Sequence, residues 1–243
     1  MQKLMTTFLL VGGMLSSAAN AETIIIAVSG TEKFLPGDKY EDTASVSVPE
    51  GARITFLAKT GEIIALVGPF EGSIFNASQR DNAGQALTEW SALKQLIGEP
   101  DARIEVLGAS RDIEGNIPPT PDVWHVSVDS SGPRCTPSSQ LVFWRRNAEK
   151  SQTVSVRGES GSLKGLDWKS GITVLSLPKS FALKSGRMLV GIDGQLRDLE
   201  VHIAPQNIND AKPAELLNWL LEKKCNRQAL ALIKRVHFKA SSQ

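Results

Sequence analysis

The side chains able to do chemistry in this sequence are few: three histidines, His125, His202 and His237, and two cysteines, Cys135 and Cys225. A metal centre draws its ligands from such residues at short, regular spacing, and these histidines have no such spacing. No metal and no cofactor is expected. His125 and His202 fall on the outward faces of expected strands, where a single sheet surface can bring them together as ligand contacts; otherwise they are ordinary exposed strand positions. A serine nucleophile sits on a strained Gly-x-Ser-x-Gly turn. The nearest sequence, Gly158-Glu159-Ser160-Gly161, lacks that spacing and reads as a solvated hairpin loop. Glycine-rich phosphate loops are absent. Acid–base pairs of carboxylates are spatial, and no Asp or Glu stands in a context that raises its pKa. An envelope hydrolase whose carboxylates converge only in the fold is therefore one alternative. A cell-wall glycan or saccharide-binding module is another. It would use Trp168, which follows Gly165-Leu166-Asp167 near a loop and can stack on a sugar ring, whereas Trp124 and Trp144 lie in apolar strands and read as core.

The cysteines take their meaning from the N-terminus. Lys3 begins residues 1–21, Leu4 to Leu15 form an apolar core, and Ala19-Asn20-Ala21 supplies the small residues that a signal peptidase accepts. Cleavage is expected between Ala21 and Glu22, with the mature chain in the periplasm. The apolar core is shorter than the ~20 residues of a spanning helix, and no later segment is apolar enough to insert into a membrane after cleavage. In an oxidising compartment an even pair of cysteines favours a Cys135–Cys225 disulfide. A redox-active pair is normally closer, as in Cys-x-x-Cys. Lys3 is the one charged residue of the signal, so the 27 basic residues fall to 26, against 26 acidic ones. That balance gives no basis for a nucleic-acid partner. The basic run from Lys223 to Lys239 reads as a solvated helix face.

The elements that position these residues are mainly strands, with some helix. Thr23–Val28 is β-branched, Ser45–Val48 alternates, and Arg53–Ala58 and Glu62–Val67 flank a hairpin turn at Lys59-Thr60-Gly61. Ala83–Ile97 has helical periodicity, and a strand at Arg103–Leu107 and a stiff connector, Ile117–Pro121, follow. Strands resume at Val123–Val128, Gln140–Trp144, Thr153–Val156 and Ile172–Leu177. Arg187–Ile192 and Gln195–Ile203 flank Asp193-Gly194, a strong type I′ hairpin signal. Together these predict a small antiparallel, sandwich-like domain. The tail reads as two helices, Ala214–Lys224 capped by Asp210 and Arg227–Val236 capped by Asn226, with Cys225 between them.

Two groups of residues carry a resemblance. Leu35-Pro36-Gly37-Asp38, Val46 to Ala52, Thr60-Gly61-Glu62 and Leu66 to Phe70 resemble the turns and strands of FecR-type periplasmic β domains. Trp124, Gly132 to Cys135, Leu141 to Arg145, Trp168 to Gly171, Trp219-Leu220, Cys225 and Gln228 are similar to exported proteobacterial proteins in which a FecR-like module precedes a β domain and a short helical tail. The resemblance implies a signal peptide over 1–21, a FecR-like β domain over 22–76, a helical and Pro-rich connector over 77–121, an antiparallel β domain over 122–205 and C-terminal helices over 206–243. It supplies no catalytic residues. It implies a non-enzymatic periplasmic binding or accessory protein that contacts another envelope protein. The sequence lacks the anti-sigma segment and membrane helix of a FecR regulator, so signalling across the inner membrane does not transfer.

Overall fold

The structure is a computed structural model that describes residues 22–41, 43–74, 90–98, 120–137, 140–208 and 212–239. The expected export signal lies outside the described residues. So do the Arg103–Leu107 strand, most of the Pro-rich connector, the first half of the Ala83–Ile97 helix and the expected cap Asp210. The described chain is mainly β, with several sheets and three helices.

In the first region β1 (Glu22–Ser29), β2 (Lys39–Glu41), β4 (Arg53–Ala58) and β5 (Ile63–Val67) form an antiparallel sheet in the order β2-β1-β4-β5. β3 (Ser45–Val48) pairs with β6 (Phe70–Ser73) in a second, two-stranded sheet. Gly61 supplies the positive φ between β4 and β5. Ile25, Val46, Val48, Ile54, Phe56 and Leu66 share one apolar cluster. β1 is buried on both faces, because Ile24 and Ile26 leave that cluster for a second one built by helices. This is why Thr23–Val28 is an almost continuous apolar run rather than an alternating one.

The second region holds β7 (His125–Ser127), β8 (Gly132–Thr136), β9 (Val142–Trp144), β10 (Gln152–Gly158), β11 (Gly161–Trp168), β12 (Val174–Ser176), β13 (Gly186–Ile192) and β14 (Gln195–Ile203). Five strands form a sheet in the order β11-β10-β13-β14-β8, and three form another in the order β12-β9-β7. Val126, Phe143, Val154, Val156, Trp168, Val190, Leu199 and Val201 from the two sheets share one core. The hairpin at Asp193-Gly194 forms as expected, with φ of 47° and 81° and Ile192 opposite Gln195. The wholly antiparallel expectation is corrected: β8 runs parallel to β14, and β7 parallel to β9. The chain passes from the small sheet at β7 to the large sheet at β8 and back at β9. β7, β8 and β9, though consecutive, are thus not hairpin partners, and parallel pairing results for β7 with β9 and for β8 with β14.

Helix α1 (Trp90–Gly98) contributes Leu93 to the helical core. Pro213 opens α2 (Pro213–Glu222). Its N-cap position is Lys212, which makes no side-chain capping bond. Lys224, at φ 58°, separates α2 from α3 (Asn226–Lys239). Leu216, Leu220, Ala229, Leu232 and Ile233 pack with Ile24, Ile26 and Leu57 of the first region and with Val123, Cys135 and Ala204 of the second. The tail core is therefore continuous with both β regions. No helix among the described residues is long and apolar enough to cross a membrane.

Candidate functional site: the open edge and outer face of the small sheet

Most of the polar side chains that the interior contains hold elements together. Cys135 on β8 and Cys225, just before α3, form a disulfide with a Cα–Cα distance of 6.0 Å. One turn into α3, Gln228 completes the same joint. Its Oε1 accepts the Cys135 N–H at 2.7 Å, while its Nε2 donates to the carbonyls of Cys135 and, at 2.7 Å, Val123. The buried Arg134 donates to the carbonyls of Ser127, Pro133 and Ser130. Burial, reinforced by Arg227 and opposed by Asp129, lowers its pKa to about 9. The sequence showed Arg134 and Gln228 only as members of turn and tail motifs. Their role depends on which backbone groups the fold leaves unpaired, and sequence carries no signal for that.

The predicted ligand contacts are not brought together. His125 lies on β7 and His202 on β14, strands of different sheets, which corrects the expectation of one shared surface. His202 Nε2 is 3.5 Å from Glu200 Oε1, and the half-buried His125 has a Nδ1 without a hydrogen-bond partner. His237 is buried on α3, where Nδ1 is 2.8 Å from Thr55 Oγ1 and Nε2 is 3.1 Å from Ser29 Oγ. Burial, and then the charge of Arg53, lowers its pKa. Trp168 is only 1% exposed, because the last residue of β11 turns into the core. The Arg145 guanidinium lies 4.7 Å from its ring centroid. This corrects the reading of Trp168 as a sugar-stacking residue. Trp144 is buried as expected, while Trp124 is half-buried and packs against the helical cluster rather than with Val126 and Val128. Ser160 sits in the two-residue turn of the β10–β11 hairpin, in register with Gly158 opposite Gly161. Among the described residues no group of three His, Cys, Asp or Glu side chains is placed to hold a metal ion.

The surface that remains available is the small sheet. On the face turned away from the core β12 carries Val174 and Ser176, which are exposed, β9 carries the half-buried Val142 and the buried Trp144, and β7 carries the half-buried His125 and the buried Ser127, paired in rows by register, so the accessible part is the β12 border. Beyond the strand ends, Ile172 precedes β12, and the Arg146 N–H reaches Asp129 Oδ1 at 3.3 Å. Arg227 of α3 donates to Ser127 Oγ at 2.8 Å. The Arg134 and Arg227 guanidiniums both feel the Asp129 charge, while Arg146 offers it a backbone N–H; burial, and the Arg146 charge with it, lowers the Arg227 pKa against the pull of Asp129. At the opposite border Ile172 is 49% and Val174 37% exposed.

β12 also ends the sheet. Thr173 C=O accepts from Arg145 N–H, and Leu177 N–H donates to Leu141 C=O, both at 3.0 Å. The odd-numbered residues therefore face β9, and the N–H and C=O groups of Val174 and Ser176 point out of the sheet. Just past β12 a hollow of about 190 Å³ is lined by Gln140 and Lys179 as well as by Leu141, Leu177, Phe181 and Leu183. The Ile172–Leu177 strand was legible in sequence, but its place at an edge was not. One signal for it was present: from Trp168 to Ile192 the chain has Lys169, Lys179, Lys184 and Arg187 and no Asp or Glu. No family model, no curated protein and no solved structure matches this chain.

Proposed function

We propose that this chain is a non-enzymatic binding or accessory protein of the periplasm that acts through protein–protein contacts in the cell envelope. The observation that carries this reading is the open border of the small sheet. There, unpaired backbone groups, exposed Ile172 and Val174, and unneutralised lysines occur together. The interior supports the same reading. Arg134, Arg145, Gln228 and His237 spend their hydrogen bonds on neighbouring backbone and hydroxyl groups and, for Arg145, the Gln152 amide, as scaffold residues do. The layout we favour is a FecR-like β domain over 22–76, a connector, a β domain over 122–205 and a helical tail that joins the two. The turn residues and alternation of 22–76 support the first assignment, and the disulfide-stapled tail supports the last.

Crosslinking in intact periplasm tests the function. The expected result is a specific envelope protein recovered repeatedly with the exported chain. Recovery of only abundant, variable neighbours across replicates counts against the proposal. Enzymatic turnover of a cell-wall substrate by the purified protein would replace it.

A further inference from the structure

The β region treats its sheet edges unequally, and the comparison identifies one of them. A strand edge exposes a row of unpaired N–H and C=O groups that templates pairing with another chain, and proteins that do not use an edge cover or distort it. The outer border of β8 is plugged, since Gln228 takes both the N–H and the C=O of Cys135. The border of β7 is closed from the same side, where Arg134 takes the Ser127 carbonyl at 2.7 Å. β11 is spoiled as a template. Its register with β10 shifts between Val154 and Val156, and Gly165 adopts φ 69° beside Lys164. Among the described residues β12 has no such plug or bulge; it is limited instead by its length of three residues and by Pro178 and Lys179 just past it. Its Val174 and Ser176 backbone groups face outward, and the side chains flanking them are Ile172 and Val174 rather than inward-pointing charges.

The surroundings state what chemistry suits this edge. Lys169 precedes β12 and Lys179 follows it, both exposed, and no carboxylate occurs between Trp168 and Ile192. Of the other two cations of that stretch, Lys184 lies closer in sequence to β13 than to β12, and Arg187 is already paired with Asp198 at 2.7 Å. Asp167 stands near Lys169 in sequence, but among the described residues neither Lys169 nor Lys179 forms an ion pair, so an incoming strand meets positive charge at both ends of β12. Between the charges it meets apolar surface at Ile172 and Val174, and past Ser176 a hollow whose walls combine Leu177, Phe181 and Leu183 with Gln140 and Lys179.

We infer that β12 is a β-augmentation site for an extended segment of a partner protein in which acidic and apolar residues alternate. The segment pairs with the N–H and C=O groups of Val174 and Ser176 and sets its carboxylates toward Lys169 and Lys179. One of its apolar side chains enters the hollow beside Phe181. Main-chain bonds supply affinity in this mode, and the side-chain pockets supply selectivity. The inference rests on the binding function proposed above and specifies where and how it acts.

The test uses the full-length, disulfide-bonded exported chain and a fluorescent heptapeptide alternating glutamate with valine, followed by anisotropy. The expected result is saturable binding that weakens at least about tenfold in Val174→Pro. That change removes an outward N–H without removing a bond to β9. Binding should weaken similarly in the double variant Lys169→Glu/Lys179→Glu, which leaves the edge intact. A peptide with lysine in place of glutamate should bind at least tenfold more weakly. Equal affinity of wild type and both variants, or of both peptides, overturns the inference. So does concentration-dependent dimerisation that Val174→Pro abolishes, because the occupant of the edge would then be a second copy. Unfolding midpoints of the variants within a few degrees of wild type exclude a folding defect. If envelope crosslinking persists unchanged in Val174→Pro, the binding function stands and the β12 assignment alone fails.

Discussion

The side-chain amide of Gln228 substitutes for a neighbouring strand along Cys135. It accepts the Cys135 N–H at 2.7 Å and donates to the carbonyl of the same residue. A strand would satisfy both groups with backbone, whereas here one helical side chain does so and also reaches Val123 C=O. Gln228→Leu leaves three buried backbone groups unpaired, and each costs ~1–3 kcal/mol if water cannot reach it. The expected loss, after partial relaxation, is about 3 kcal/mol in urea unfolding, with faster exchange of the Cys135 amide proton. Gln228→Glu should be nearly as damaging, because it sets a carboxylate against two carbonyl oxygens. A variant as stable as wild type would show that the edge is solvated.

The Cys135–Cys225 bridge acts on the unfolded chain. It closes a segment with a sequence separation of 90 residues, and the chain-entropy treatment gives ~4–5 kcal/mol for a loop of that size. The variant Cys135→Ala/Cys225→Ala should lose about 3–5 kcal/mol while keeping its circular dichroism spectrum in the absence of denaturant. Retention is expected because Gln228 and the apolar contacts of Leu216, Leu220 and Leu232 still dock the tail. Loss of the spectrum would make the bridge a condition of folding rather than a brace.

These joints mark the line between what the sequence shows and what it does not. The hairpins at Lys59-Thr60-Gly61 and Asp193-Gly194 are local, since the turn requires positive φ and glycine supplies it. The tail helices are local too, with a stripe of leucines after Pro213. The strand Gly132–Thr136 has no alternation to reveal it, because Arg134 and Cys135 are both buried. Its parallel pairing with β14 depends on chain passages between sheets, which no short window of residues encodes. β11 reads as a polar, glycine-rich turn because it is an exposed edge strand with a bulge. Trp168 misleads for the same reason, since its sequence neighbours are loop-like while its side chain closes the core. The β12 surface is hidden at the level of topology and visible only in the missing carboxylates around it.

Arg145 is a buried cation held by oxygen dipoles. Its guanidinium donates to the carbonyls of Ile172, Lys150, Trp168 and Lys169 and to Gln152 Oε1, at 2.6 to 3.3 Å. It thereby ties the turn after β9 and the start of β10 to the segment that leads into β12. Arg145→Lys keeps the charge and loses the planar fork. Three tetrahedral donors cannot reach acceptors spread over three segments, so a loss of about 3 kcal/mol is expected. Because Ile172 O is among the acceptors, amide exchange should also accelerate across Ile172–Ser176. Stability within 0.5 kcal/mol of wild type by denaturant titration would contradict this account.

His237 makes the docking of α3 on the first sheet depend on pH. The residue is 3% exposed, its ring set between Thr55 and Ser29, and the Arg53 guanidinium donates to the His237 carbonyl at 3.0 Å. Desolvation first, and the Arg53 charge second, lower its pKa below the ordinary 6.5. The folded protein therefore holds the ring neutral at a pH where the unfolded chain already binds a proton. Stability from this site is fully present above about pH 6.5 and declines as pH falls from there toward the folded value. His237→Gln keeps one donor and one acceptor for Thr55 and Ser29 and cannot titrate. The difference in unfolding free energy between wild type and this variant should be constant above pH 7 and move against wild type from pH 6.5 to 5. An unchanged difference over that range would mean that the protonated ring is accommodated in place, with Thr55 and Ser29 both accepting from it.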